Sequence, residues 1–72
     1  MTEINIKLGQ IIRDRRKSLG FSQEELAFKS GLHRTYISQI ERGLKSPTVD
    51  TLFKLCKSLG ARTSELIADT EN

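Results

Sequence analysis

The sequence predicts an all-α fold, a compact bundle of five short helices that forms one domain over residues 1–72. Three observations support this prediction. Apolar residues recur at helical spacing, glycine follows several of these segments, and residues that commonly cap helices precede two of them. A chain of 72 residues buries only a small core, which leaves no room for a large catalytic cavity. We therefore expect a protein that is not an enzyme.

The first helix is expected over about residues 5–19. Its apolar side is formed by Leu8, Ile11, Ile12 and Leu19. Gly20 follows directly, and glycine readily takes the left-handed conformation with which many helices end. The segment therefore has one face for a core and a marked end.

The second helix is expected over about residues 22–29. Ser22 is a candidate N-cap, and Glu25 three residues later completes a capping box. Gly31 then ends the helix and begins a tight turn. Both ends of this short helix are thus marked by local signals.

The third helix is expected over about residues 33–42, and it buries Ile37 and Ile40. Four polar residues lie on a different side of it: Arg34, Thr35, Ser38 and Gln39. They fall within about a turn and a half of helix, so they can face one major groove of DNA together. Two short helices joined by a turn, with polar side chains on the second, are the layout of a helix-turn-helix.

The donor groups on the third helix match the edges of bases in duplex DNA. Arg34 can donate two hydrogen bonds to guanine, Gln39 can pair with adenine, and Thr35 offers a hydroxyl and a methyl group to thymine. Arg34 could instead contact a phosphate, since more than half of protein–DNA hydrogen bonds go to the backbone. Ser38 could instead only permit close packing or contact a phosphate. The pattern predicts base readout with these alternatives open.

Two further helices are expected over about residues 49–59 and 64–68. Pro47 disfavours helix in the residue before it, and Thr48 is a reasonable N-cap. The apolar face of the fourth helix consists of Leu52, Leu55, Cys56 and Leu59. Gly60 ends that helix.

The segment GLHRTYISQIERG, residues 31–43, resembles the helix-turn-helix of the Cro/CI-type repressor family, and most of all the controller proteins of restriction-modification systems. The resemblance extends from about Leu8 to Ile67. The matching positions are Arg16, Gly20, Gln23, Leu26, Ala27, Gly31, Ile37, Ser38, Glu41 and Gly43. It implies a bundle of the phage-repressor DNA-binding type and a sequence-specific transcription regulator that acts as a homodimer on a two-half-site operator.

The resemblance and the positions along the chain also imply roles for residues around the third helix. The residues that match Arg16 and Glu41 form a structural ion pair in the family, whereas two unrelated surface charges are the alternative here. The candidate phosphate contacts are Ser22, Gln23, Tyr36, Arg42, Lys45 and Ser46. Packing against the turn is the alternative for Tyr36.

The last two helices carry more apolar residues than one narrow face needs, which suggests a partner. The resemblance implies dimerisation through these helices. The candidate interface residues are Val49, Phe53, Leu66 and Ile67. The alternative is that they complete the core of the monomer.

Charge and composition agree with a DNA-binding protein. Residues 1–62 hold all 12 Lys and Arg against 6 acids, a formal +6, whereas residues 63–72 hold 3 acids and no base. The single cysteine, Cys56, excludes an internal disulfide, and no Cys/His spacing suits zinc, so we expect no metal and no cofactor. No segment is apolar enough to span a membrane, and we expect a cytoplasmic protein.

The expected partners are double-stranded DNA, a second copy of the chain and, for activation, RNA polymerase. The alternative function is an antitoxin-like or scaffold module that binds another protein. Such a module would need an exposed apolar helix face. The polar and basic third helix favours DNA.

Overall fold

Five α-helices make up the computed structural model, which describes residues 2–71. They are α1 (Glu3–Ser18), α2 (Gln23–Ser30), α3 (Arg34–Glu41), α4 (Val49–Leu59) and α5 (Thr63–Glu71). No strand occurs within those residues. The predicted all-α fold of five helices is confirmed. Within the same range, no helix is both long enough and apolar enough to cross a bilayer.

The helix boundaries follow the local capping signals. α4 has the predicted bounds, because the Thr48 hydroxyl accepts the Thr51 N–H at 3.1 Å and Gly60 ends the helix in the left-handed conformation. α1 begins two residues earlier than predicted, at Glu3, because the Thr2 hydroxyl accepts the Asn5 N–H at 3.2 Å. Capping therefore decides where these two helices start.

Two predictions about α1 and α5 were wrong. Leu19 does not belong to the apolar side of α1, because the helix ends at Ser18 and the turn leaves Leu19 49% exposed. α5 extends to Glu71 instead of ending near residue 68. Its last turn is held inward, since Thr70 is buried and its hydroxyl donates to the Leu66 carbonyl at 2.7 Å.

The core lies between all five helices. Its buried apolar residues are Leu8, Ile12, Leu26, Ala27, Ile37, Ile40, Leu52, Leu55, Cys56, Leu59 and Leu66. Leu66 has no exposed surface, so its assignment to a dimer interface was wrong. It faces inward where α5 packs on α1 and α4, and it completes the core of the monomer.

α1 approaches the end of α3 closely at Gly9. A Cβ atom on Gly9 would lie 2.8 Å from the Glu41 carbonyl oxygen and closer still to that of Ile40, which is nearer than real Cβ contacts allow. The obstacle is backbone, so it cannot move aside as a flexible side chain would. Glycine is therefore required here for the packing of α1 on α3.

We expect Gly9→Ala to destabilise the protein by about 1–3 kcal/mol, as overpacking does, because the added methyl group forces α1 away from α3. In an exposed helix the same change would stabilise by about 1 kcal/mol. Urea denaturation gives the free energy of unfolding. Asp14→Ala, at an exposed position of α1, is the control and should change stability little. A stabilised Gly9→Ala variant would contradict the close packing.

Candidate nucleic-acid interface

α3 separates its apolar and polar residues onto two sides. Ile37 and Ile40 are buried in the core. On the other side Arg34 and Thr35 are exposed, whereas Ser38 and Gln39 are half-buried. The four residues predicted to read bases therefore all reach the surface on one short helix.

His33 caps the start of α3. Its Nδ1 atom accepts the Thr35 backbone N–H at 3.1 Å, the role that Ser, Thr, Asn or Asp usually plays. A neutral imidazole that accepts at Nδ1 carries its proton on Nε2. His33 therefore holds the first turn of α3.

The start of α2 lies next to α3 and is also capped. The Ser22 hydroxyl accepts the Glu25 N–H at 3.0 Å, and the Glu25 carboxylate accepts the Ser22 N–H at 3.1 Å, which is the predicted capping box. Ser22 uses only its oxygen in this cap. Its hydroxyl hydrogen stays available for a further acceptor such as a phosphate.

Beneath these two helices lies a buried ion pair. Arg16 Nε donates to Glu41 Oε2 at 2.7 Å and Arg16 Nη2 donates to Glu41 Oε1 at 3.0 Å, while the side chains are only 9% and 2% exposed. Arg16 Nη1 also donates to the Phe21 carbonyl oxygen at 2.8 Å. The hydrogen bonds to Glu41 raise the pKa of the Arg16 guanidinium, and burial opposes that shift. These two charges therefore form a structural pair and are not independent surface groups.

Gln23 belongs to the same network. Its Nε2 donates to Glu41 Oε1 at 3.2 Å. A carboxamide nitrogen carries two hydrogens, so one of them is free for another acceptor. The sequence predicted a phosphate contact for Gln23, with an ordinary solvent-exposed position as the alternative. The structure shows that Gln23 is half-buried and that Glu41 orients its side chain.

The remaining candidate residues differ in how exposed their side chains are and in which contacts they already make within the protein. Arg42, Lys45 and Ser46 are exposed just beyond α3. Tyr36 is half-buried and packs against the core. The pair between Arg34 Nη1 and Glu24 Oε1, at 3.3 Å, is more than half exposed at both ends. Exposed pairs contribute about 1 kcal/mol or less, so Arg34 can leave Glu24 for another partner.

The structure gathers the site residues around two neighbouring hollows. Gln23, Arg34, Thr35 and Ser38 line a shallow depression at the start of α2 and α3. A second groove is lined by Ile6, Gln10, Arg13, Arg16, Gln23, Glu41 and Arg42. The other candidate residues line neither hollow: Ser22, Tyr36, Gln39, Lys45 and Ser46.

Two residues of the second groove, Gln10 and Arg13, were missed in the sequence. Both are exposed on α1. A signal was available, because they precede Arg16 at intervals of three residues and so lie near it around the helix. The packing of Gly9 and the pairing of Arg16 show that this side of α1 borders α3.

The fold and the site fit one family of proteins. The family described as Helix-turn-helix matches residues 12–66 of the sequence. The chain belongs to the helix-turn-helix family. Control protein C.BamHI of Bacillus amyloliquefaciens is 45% identical over 65 residues, which cover 89% of this chain and 80% of that protein. The predicted resemblance to controller proteins is confirmed.

Solved structures agree. The restriction-modification controller protein C.AhdI from Aeromonas hydrophila has a TM-score of 0.84 at 40% identity, covering 86% of this chain and 94% of that one. SinR, the master regulator for biofilm formation, crystallised in complex with DNA, has a TM-score of 0.80 at 38% identity, covering 83% of this chain and 97% of that one. The protein is thus a helix-turn-helix regulator similar to controller proteins.

We expect Glu41→Ala to lower the free energy of unfolding by about 3 kcal/mol or more, because it leaves the buried guanidinium of Arg16 unpaired. Glu24→Ala is the control, since it breaks an exposed pair and should cost about 1 kcal/mol or less. Chemical denaturation of the two variants gives both values. Equal losses would mean that burial does not strengthen the Arg16–Glu41 pair.

Proposed function

We propose that this protein, acting as one helix-turn-helix domain, binds specific sites in duplex DNA as a homodimer and regulates transcription there. The observation that carries the proposal is the exposed polar side of α3, which adjoins the capped start of α2. The major groove of DNA is about 12 Å wide and admits one α-helix. α3 supplies the side chains for such a contact and turns none of its large apolar residues outward.

Base readout is assigned to Arg34, Thr35, Ser38 and Gln39. Arg34 has the fork that fits guanine O6 and N7, and Gln39 has the donor and acceptor that fit adenine. The His33 cap fixes the first turn of α3, in which Arg34 and Thr35 lie. Bases near that turn are therefore read by side chains on a backbone that is held in place.

Phosphate contacts are assigned to the residues on either side of α3. At the start of α2, Ser22 and Gln23 each keep a free donor hydrogen, and a helix N-terminus favours an anion. Three exposed residues follow α3, where the chain would cross the sugar-phosphate backbone of DNA: Arg42, Lys45 and Ser46. Tyr36 can add its hydroxyl from a half-buried ring. The contacts together would clamp α3 in the groove.

The relatives support the regulatory role and narrow it. Both C.BamHI and C.AhdI are named as control or controller proteins, and SinR was crystallised with DNA. We assign this chain to the same role, the controller of a restriction-modification system. It represses by covering a promoter and activates by contacting RNA polymerase bound beside it. The role needs no reaction, no cofactor and no membrane, and places the protein in the cytoplasm.

The dimer interface is assigned to α4 and α5. Val49 and Phe53 lie one turn apart on α4 and are 70% and 59% exposed, and Ile67 on α5 is 41% exposed. Phe53 and Thr63 line one hollow, and Ile67 follows Thr63 by one turn. Large apolar groups exposed on adjoining helices are typical of an interface. Two-fold symmetry would then place two copies of α3 on two half-sites.

Arg34→Ala should cost about 1–3 kcal/mol per half-site and relax base preference at one position, a guanine if the bidentate pair forms. Randomised-site selection and affinity measurements on the selected duplex test this. The change also frees the Glu24 carboxylate near DNA, which would weaken binding to any sequence. We therefore compare Arg34→Ala with wild type in the Glu24→Ala background.

The control for Arg34 is Lys45→Ala, which should weaken selected and random duplexes alike because it removes a phosphate contact. Identical base preferences with and without Arg34 would remove it from the readout set. No enrichment of any sequence by the wild type would favour the alternative, a module that binds another protein.

Ile67→Lys should give a folded monomer or a much weaker dimer, because an isologous interface receives the new charge twice. Sedimentation equilibrium measures the change. Phe28→Lys, at the most exposed apolar residue of α2, is the control and should leave the dimer intact. If only Phe28→Lys dissociated the dimer, the interface would lie on α2. If neither change did, the exposed Leu44 of the connector would be the next position to test.

A further inference from the structure

The second groove of the interface holds cationic side chains that base readout does not use. We name it the α1 groove, and its exposed residues are Ile6, Gln10, Arg13 and Arg42, with Gln23 half-buried at its side. The Arg16–Glu41 pair forms its buried part. Three helices therefore contribute donors to one open groove: α1, the start of α2 and the end of α3.

The α1 groove carries a net positive charge. Within residues 2–71, neither Arg13 nor Arg42 has an acid within ion-pair distance. The acid among its lining residues is Glu41, and Arg16 neutralises it at 2.7 Å. Two guanidinium groups are thus left without a counter-charge on one surface.

The donors in the α1 groove suit an oxyanion with two charged oxygens. Each guanidinium presents five N–H groups in a planar fork, which fits a phosphate by two parallel hydrogen bonds. Gln10 adds a carboxamide, and Gln23 adds the N–H that Glu41 does not use. These groups can donate hydrogen bonds to neighbouring phosphates of one DNA strand.

The α1 groove is continuous with the surface that reads bases. Gln23 lines both the α1 groove and the depression that contains Arg34, Thr35 and Ser38. A DNA strand that runs along the depression and passes Gln23 would enter the α1 groove next. The continuity of the two surfaces indicates that the ligand is a polymer. In a polymer, the contacts to neighbouring phosphates hold each phosphate in place.

A small free anion fits the α1 groove less well. Such a ligand needs enclosed donors, yet Arg13 and Arg42 are exposed, and no buried side-chain nitrogen or oxygen within residues 2–71 lacks a hydrogen-bond partner. Exposed cations bind an isolated ion weakly because water and salt screen them. A phosphate that belongs to DNA already bound by the protein does not have this weakness, because the bound DNA keeps it close to the groove.

We propose that Arg13, assisted by Gln10 and Arg42, binds one further phosphodiester of the DNA strand that passes Gln23. The contact surface for DNA then extends beyond the two helices of the helix-turn-helix onto α1. The proposal rests on the proposed function. Arg13 would add affinity without adding base preference, because a phosphate carries no sequence information.

Ethylation interference on the selected duplex tests the proposal, since it shows which phosphates the protein needs. Wild type should show one phosphate per half-site that loses its interference in Arg13→Gln. The slope of log affinity against log salt should fall by about 0.9 for each phosphate contact removed. Base preference in randomised-site selection should stay as in wild type.

Two further variants test whether the effect depends on the position of the charge and on the geometry of the guanidinium group, or on positive charge alone. Lys29→Gln removes one positive charge from a residue of α2 that lies outside the α1 groove, and it should keep the wild-type interference pattern. Arg13→Lys keeps the charge but not the fork, so it should keep the salt slope and restore part of the affinity. Thermal denaturation confirms that each variant is folded.

The outcomes are distinct. Arg13→Gln with the interference pattern and salt slope of wild type would overturn the proposal while leaving the proposed function intact, whereas failure of wild type to select any sequence would overturn the proposed function itself. In a third experiment, inorganic phosphate is titrated into the protein at constant ionic strength without DNA, and the NMR spectrum is followed. A saturable shift of the Arg13 Nε–H signal in that titration would make the groove a free-anion site and overturn the assignment to DNA.

Discussion

The buried ion pair between Arg16 and Glu41 is the interaction on which the placement of the other helices depends. It joins α1 to the last residue of α3, while Nη1 of Arg16 donates to the carbonyl oxygen of Phe21, which precedes α2. An unpaired charge at this depth would cost several kcal/mol, so both partners must stay in position. Gln23 bonds to the same carboxylate and ties the start of α2 to it. One pair thus fixes how α2 and α3 meet.

The α3 helix is held at both of its ends. The imidazole of His33 caps its start, and Gly9 allows α1 to pack directly on the carbonyl groups at its end. Between these points Ile37 and Ile40 anchor it to the core. A helix that discriminates base pairs must present its side chains in a constant register. The polar residues therefore stand on a support that does not depend on their own contacts.

Three arginines close together on α1 have different surroundings. Arg15 turns to α5 and lies 3.5 Å from Glu65 and 3.6 Å from Asp69, and Arg16 turns inward to Glu41. Arg13 faces the α1 groove and, in the described part of the chain, forms no ion pair. The acids of α5 thus neutralise one side of α1 and leave the side next to α3 positive. Because of this separation of charge, the basic surface of α1 lies next to α3.

The sequence by itself determined the elements, because the signals that start and stop a helix are local. Thr48 and Gly60 act within one turn of α4, and its bounds matched the prediction. The polar side of α3 followed in the same way from the spacing of two isoleucines. Whether those residues contact bases stays a proposal, since readout involves a partner.

The tertiary structure alone decided what depends on residues far apart in the chain. Leu66 is buried because α5 packs on α1 and α4, Gly9 is required because α3 ends against it, and Arg13 borders the interface because Arg16 binds Glu41. Apolar periodicity shows which face of a helix is apolar, but it does not show which neighbouring helix covers that face. Burial and charge pairing are properties of the packed molecule, and only its geometry assigns them.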